Sequence, residues 1–390
     1  MELSNLAKRL TGIGGTESWA VYYEALRLKK EGREVIQLGI GEHDLPTPEP
    51  IVESAVTALR SGRHHYESEI GTPALRAAIA HHHHLTCKQE VTAENCVAVS
   101  GGQCALFASL MSLVDEDDEV ICLDPMYTTY FPVVRATGAK MVVVPCFSED
   151  SFRLNVEGVE QAITPKTRAI LINTPNNPTG AVYRYDRLRA LANLCKKHGL
   201  WLISDEVYAT LVHEGEHVSP SSFADISDLS ITLGSLSKGH MMTGWRMGWI
   251  VGPTRVLKAV RELSSCMLFG LPTFIQDAAE TALSEFPLGV EGLQKRYKER
   301  LGIVYEGLSE FELCRPIKPE AGMFMMADIR KTGQSANEFA MSLLRETGVA
   351  LMPGDGFGPS AKGHLRFSVG ASEDELVEAM DRMQDYLRRF

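Results

Sequence analysis

Seven short apolar runs punctuate the middle of this 390-residue chain, at 96–100, 120–123, 141–145, 169–173, 200–204, 230–234 and 248–251. Runs of this length and composition read as buried strands. Helical stretches such as 103–114, 184–198 and 253–266 separate many of them. The alternation predicts an α/β fold, with a mostly parallel central sheet sandwiched by helices. After residue 285 the texture changes to longer helices near 289–309, 335–346 and 372–388, with candidate strands at 323–328, 349–352 and 364–369. This part reads as a smaller α+β domain, residues 286–390 completed by residues 1–45, beside a large domain of residues 46–285. At 44% hydrophobic residues the chain has enough apolar material for a sizeable core. No internal repeat, low-complexity tract or long linker interrupts it.

Charge and cysteine usage narrow the function classes. The net charge is −11 with no sustained basic run, which argues against nucleic acid and anionic membranes as partners. The opening segment MELSNLAKRL scatters charge and lacks the apolar centre of a secretory signal, and no stretch approaches the roughly 18 apolar residues of a membrane span. The eight cysteines form no C-x-x-C pair and several sit inside apolar runs, as expected of reduced core thiols in a cytoplasmic protein without disulfides or zinc. His81 to His84 continue the helical pattern of PALRAAIAHHHH. Consecutive side chains on a helix fan around its axis and cannot all face one ion, so the tetrad is expected to be a solvated helix end and no metal site is expected.

Ligands of an open parallel sheet collect beyond the carboxyl ends of its strands, so the residues after each apolar run are where chemistry is expected. Four runs end in informative clusters. CVAVS (96–100) leads into Gly101, Gly102 and Gln103 and then a helical segment; glycines at such a junction let a phosphate approach the amides of a helix N-terminus, although a tight turn has the same signature. AILIN (169–173) runs into TPNNPTG, a rigid turn presenting Asn177, whose amide can donate to a ring hydroxyl or a carboxylate. WLIS (201–204) ends in Asp205, with Tyr208 three residues on. A carboxylate beside a pyridine nitrogen keeps the ring protonated, and a phenol can hydrogen-bond the neighbouring ring oxygen; a helix cap is the other reading of Asp205. ITLG leads to Ser235, Ser237 and Lys238, with Arg246 eight residues further. A lysine amine flanked by hydroxyls and a guanidinium can condense with an aldehyde while its neighbours hold that aldehyde's phosphate, which describes an anchor for pyridoxal phosphate.

The order and spacing of SGGQ (100–103), NNPTG (176–180), DEVY (205–208), SLSK (235–238) with GWR (244–246), and LRFS (365–368) resemble the class I aminotransferases of fold type I. The resemblance implies pyridoxal 5'-phosphate as cofactor and a homodimer with active sites at the subunit interface. It implies that Lys238 holds the cofactor and, once released, moves the proton at the substrate α-carbon. Asp205 then pairs with the ring nitrogen, while Asn177 and Tyr208 meet the ring hydroxyl. Gly102, Gln103, Ser235 and Arg246 surround the phosphate, Tyr127 in DPMYTTY stacks on the ring, and Tyr66 in GRHHYESEIGTPALR reaches the phosphate of the neighbouring subunit. Arg366 matches the arginine that grips the substrate α-carboxylate, and the backbone of Gly41 in GIGEHDLPTP lines the same place. One departure stands out: His43 occupies a position where many members carry proline.

Segments including HEGEHVSP (213–220), SSCMLFGLPTFIQDAA (264–279) and FGPSAKGHLRFS (357–368) are similar to the bacterial arginine:pyruvate aminotransferases. That similarity implies ping-pong transfer from arginine or another basic amino acid to a 2-oxo acid such as pyruvate. Glu17 and Trp19, in GGTESWAVYY, match a segment that covers the substrate, and offer an ion pair and a cation–π face to a guanidinium. Broad-specificity, aspartate-type or methionine-type transamination, and β-elimination by a C–S lyase of the same fold, remain open from the same residues. A regulator's effector domain is a further class; it calls for a basic DNA-binding extension, and Lys238 weighs against it.

Overall fold

The computed structural model describes residue 7 and residues 19–388. All seven apolar runs form strands of one sheet. Following β1 (Ile36–Gln37), these are β2 (Cys96–Val99), β3 (Glu119–Asp124), β4 (Lys140–Pro145), β5 (Thr167–Asn173), β6 (Trp201–Asp205), β7 (Ser230–Ser235) and β8 (Gly248–Val251). Their spatial order is β2-β8-β7-β6-β5-β3-β4, and every pairing is parallel except those of β8 with β2 and β7.

Side chains alternate between the two faces of the sheet, and both faces are buried. Ile121, Ile170, Ile172 and Leu202 point into a cluster with Val159, Leu188 and Leu191, which belong to the helices Val156–Ala162 and Tyr185–His198. Val120, Leu171, Ile203, Ile231 and Leu233 point the other way, onto Leu106, Leu110 and Val260 of the helices Gly101–Leu113 and Thr254–Met267. Leaving either side uncovered would expose whole strands, since nearly every residue of β5 is buried.

The later strands are β9 (Arg315–Ile317), β10 (Phe324–Asp328), β11 (Val349–Ala350), β12 (Met352–Pro353) and β13 (His364–Ser368). Four of them make an antiparallel sheet in the order β12-β13-β10-β9, while β11 pairs in parallel with β1. The apolar stretch at 349–352 is therefore two short strands serving different sheets. One buried cluster joins Val21, Ala25 and Leu38 to residues of the helices Leu293–Ser309, Ala336–Thr347 and Glu373–Leu387.

The histidine tetrad is a correction. It lies in the helix Pro73–Cys87, but His82 and His83 are buried, His83 to 1% exposure, and only His81 is fully on the outside. The helix packs on the helix Thr273–Glu285 and on β2, so two of the four fanned side chains must face inward. His82 Nδ1 lies 2.7 Å from the Pro287 carbonyl and its ring meets Trp249 edge-on; His83 Nε2 lies 2.8 Å from Gln89 Oε1. Burial pushes His82 down to about 3, so the ring is neutral and packs as core. Of the cysteines, Cys266 is exposed, Cys104 half-buried and the others buried. Among the described residues, no helix is long and apolar enough to cross a membrane.

Candidate active site

The carboxyl ends of the central strands open onto a cavity of about 450 Å³. All the site residues expected from the sequence line it except Tyr66 and Glu17. Glu17 lies outside the described residues. Tyr66 stands on the surface, 86% exposed, with its ring edge-on to Phe269.

One end of the cavity is built to hold an anion. Gly101 begins the helix Gly101–Leu113 at φ +82°, and a Cβ there would come within 2.4 Å of Arg246 Nη2, so only glycine lets the guanidinium lie over this turn. Gly248 of β8 is equally constrained: a Cβ would meet Gly101 C at 2.6 Å and Gly102 N at 2.7 Å. The first amides of the helix, at Gly102 and Gln103, thus sit beside Arg246, which is itself held by the Thr243 carbonyl at 2.8 Å. Ser235 at the end of β7 caps the short helix Leu236–Gly239; its hydroxyl donates to Met247 O and lies 3.0 Å from Ser237 Oγ. Helix-terminal amides, two hydroxyls and a guanidinium are a phosphate's donor set.

Lys238 and Asp205 occupy the floor and are partly exposed through the cavity they line. Lys238 Nζ donates to the Gly41 carbonyl at 2.6 Å. Burial, with Arg366 and Arg246 close and Glu42 opposing them, pushes its amine down to about 8. A minor fraction is therefore the free base near neutral pH, far more than for an ordinary lysine, as a nucleophile or proton acceptor requires. Asp205 ends β6 and is register-paired with Asn173 of β5. Its carboxylate accepts from the Tyr130 hydroxyl at 2.6 Å and from the Val207 amide at 3.3 Å. Burial raises it to about 6 although both hydrogen bonds pull it down.

At the opposite side Arg366, on β13, is 5% exposed. Nη1 donates to Asn177 Oδ1 at 2.9 Å, Nη2 to Gly39 O at 2.6 Å, and the guanidinium lies over Phe324 and Phe357. Nε is buried without a partner, and among the described residues this side chain forms no ion pair. Burial pulls the group down to about 10, against Tyr208 and Tyr127, which favour its charge. A buried guanidinium fixed in plane with a free donor could receive a carboxylate. The Asn177 side chain also meets the Tyr208 hydroxyl, which burial raises well above the usual phenol range.

Two contributors were not singled out in the sequence: Tyr130 and Asn173. Asn173 carried a signal, as the last residue of AILIN at a strand's carboxyl end; its Nδ2 donates to Asp205 O and its Oδ1 accepts from Asn177 N. Tyr130, three residues after Tyr127, carried none, because only the turn of the helix Tyr130–Ala136 aims it at Asp205.

Behind Asp205 lies a buried polar network. Glu206 accepts from Cys87 Sγ at 3.2 Å and Ser219 Oγ at 2.7 Å, and its Oε2 lies 2.8 Å from His217 Nε2. Burial opposes charge on His217, but Glu206 and Cys87 outweigh it and raise the imidazole to about 10. Cys87, Glu206 and His217 are ligand types gathered within 4.8 Å. Each is already partnered by the others, and burial raises the Cys87 thiol to about 11.

The whole chain compares closely with known proteins. Residues 33–383 match the family described as aminotransferase class I and II. The arginine–pyruvate transaminase AruH of Pseudomonas aeruginosa is 45% identical over 98% of this chain and 97% of its own length. The aspartate/prephenate aminotransferase of Thermus thermophilus is 36% identical over 99% of this chain and all of its own. Among solved structures, a single mutant of the Thermus thermophilus aspartate aminotransferase superposes with a TM-score of 0.94 at 35% identity, covering 99% of this chain and all of that one. An end-to-end match of this kind, on a cavity that brings Lys238 and Arg366 together, makes this chain an enzyme of the class I and II aminotransferase family.

Proposed function

We propose that the enzyme uses pyridoxal 5'-phosphate, attached at Lys238, to move the α-amino group of an L-amino acid, arginine first, to a 2-oxo acid such as pyruvate in two half-reactions. The observation that carries this reading is a single cavity holding a lysine at about 8 and a buried arginine with an unpartnered Nε. The residues present fit the cofactor: Gly102, Gln103, Ser235 and Arg246 supply phosphate donors, Tyr127 an aromatic face, Asn177 and Tyr208 partners for the ring hydroxyl, and Asp205 a carboxylate for the ring nitrogen. Bound there, the cofactor supplies an electron sink that makes the substrate α-hydrogen acidic.

The protein's own groups do the rest. Arg366 holds the α-carboxylate in a two-pronged grip, its plane fixed by Asn177 and the two phenylalanine rings. Lys238 Nζ, low enough to be partly unprotonated, takes the α-proton and returns it one position along. Asp205, ionised above about 6, keeps its partner nitrogen charged. Tyr127, Phe324, Phe357 and Trp19 give the cavity aromatic walls beside the reacting carbon.

The donor's side chain is argued from charge. Among the described residues, the arginines and lysine lining the cavity are Lys238, Arg246 and Arg366, each assigned above, which leaves none for a second substrate carboxylate. Trp19 and the carboxylate of Glu42 also line it, and suit a guanidinium. A screen of the amino acids against pyruvate and 2-oxoglutarate tests this: arginine turned over well above alanine and aspartate supports it, and arginine no better than alanine overturns the substrate. Ammonia and pyruvate released from cysteine-type donors, without a stoichiometric 2-oxo acid partner, would instead mark a lyase.

The same reading includes a homodimer. Tyr66 and Phe269, exposed at 86% and 61%, form an aromatic pair that does not line this chain's own cavity, and Tyr66 would reach the neighbour's phosphate. A division into residues 46–285 and residues 1–45 with 286–390 is supported by the cluster linking Val21 and Leu38 to the C-terminal helices. The cytoplasm suits an enzyme with several buried thiols.

A further inference from the structure

His43, at the position where many members of the resembled family carry proline, bridges the peptide before Lys238 and the helix Leu293–Ser309. Its Nε2 lies 3.0 Å from the Ser237 carbonyl. A carbonyl only accepts, so Nε2 carries the hydrogen, and Nδ1 of the neutral ring is then the acceptor for the Tyr297 hydroxyl, with which it is hydrogen-bonded. The two rings stack at 5.9 Å and 22°. Burial, opposed by the Ser237 carbonyl and assisted by the Lys238 charge, lowers His43 and keeps it in this neutral form.

Two residues earlier, Gly41 O accepts from Lys238 Nζ. The 41–43 segment therefore grips the catalytic lysine twice, at its amine and at the peptide that precedes it. The outer end of this grip is anchored as well. Tyr297 belongs to the helix Leu293–Ser309, whose Arg300 binds Asp44 at 2.9 and 2.7 Å and Glu373 at 2.9 Å. Glu373 opens the helix that follows β13, the strand carrying Arg366.

We infer that His43 is a positioning residue for Lys238, which transmits the placement of the helix Leu293–Ser309, and with it the Arg366 side of the cavity, to the Ser237–Lys238 peptide. Proline at this position has no side-chain donor or acceptor and would leave the peptide carbonyl unheld. The inference rests on the reading of Lys238 as the cofactor lysine. It places the effect of His43 on the chemical step, because the lysine's aim matters when the α-proton moves, and not on substrate capture, which belongs to Arg366.

Three single variants of the holoenzyme and one double variant test it, with kcat, KM and Tm measured for each. H43F keeps the stacked ring and loses both hydrogen bonds; H43Q retains a donor and an acceptor; Y297F removes only the outer bond. The expected pattern is a fall of about tenfold in kcat for H43F with KM within about twofold, rescue by H43Q to within about twofold of wild type, and a double variant H43F/Y297F no worse than H43F. Wild-type kcat in H43F overturns the inference, as does a loss confined to KM or an equal loss in H43Q and H43F that follows Tm. If the wild-type enzyme carries its cofactor on Lys238 and H43F is unaffected, only this inference fails; a cofactor on another lysine removes the reading beneath it too.

Discussion

The central residue pair of the site is a carboxylate raised to about 6 and an amine lowered to about 8, both by burial in one cavity. Their opposite displacements leave a window in which Asp205 is ionised while a fraction of Lys238 is free base, the combination proton transfer at an α-carbon needs. Tyr130 sets the lower edge of that window, because its hydroxyl pulls the Asp205 carboxyl down. Replacing it with phenylalanine removes that pull, so Asp205 rises further. The acid limb of kcat/KM in Y130F is expected at higher pH than in wild type, with an activity loss that is largest below neutrality and shrinks as pH rises. An unshifted limb would separate Asp205 from the rate. Arg366→Lys replaces a planar fork by a point charge, leaving Asn177 Oδ1 and Gly39 O to be satisfied by a shorter donor set. The expectation is a KM for amino acids raised about tenfold or more, read from initial rates over a range of donor concentrations.

At the scale of elements, the buried network behind Asp205 stabilises the end of β6. His217 is raised to about 10 beside Glu206, so its contribution to stability is fully present below its unfolded value near 6.5 and fades as pH climbs through about 10. H217Q is expected to lose roughly 3 kcal/mol in denaturant unfolding at pH 7, and its deficit against wild type should narrow as pH is raised toward 10. A constant deficit would show that packing, not charge, is what the side chain supplies. The seven central strands were legible because strands buried on both faces are continuous apolar runs that contrast with the helices between them. β1 and β9 were not, since two residues give no periodicity and Pro316 in β9 argues against a strand away from a sheet edge, where β9 does lie. The inward turn of His82 and His83 was equally hidden, because polar residue type pointed to solvent while the packing of the helix Pro73–Cys87 decided otherwise. Site residues at strand ends, such as Asp205, Asn177 and Lys238, followed from topology. Tyr130 depended on how a neighbouring helix turns, which no spacing in the sequence encodes.

For the whole molecule, the proposed dimer predicts that each site borrows Tyr66 from the other chain. Mixing K238A subunits with Y66A subunits should then yield heterodimers with one intact site, and activity above that of the Y66A homodimer alone. No gain on mixing, in a sample that sediments as mixed dimers, would contradict the borrowed tyrosine. Among the described residues, the carboxylates lining the cavity are Asp205 and Glu42, and since the proposed reading gives Asp205 to the ring nitrogen, it leaves Glu42 and Trp19 to meet a basic side chain. Everything in the mechanism converges on the amine at the end of β7. Borohydride reduction of the purified holoenzyme, followed by peptide mapping, measures this directly: the account predicts one phosphopyridoxyl label, on the peptide containing Lys238, whereas a label on any other lysine, or none at all, would contradict it.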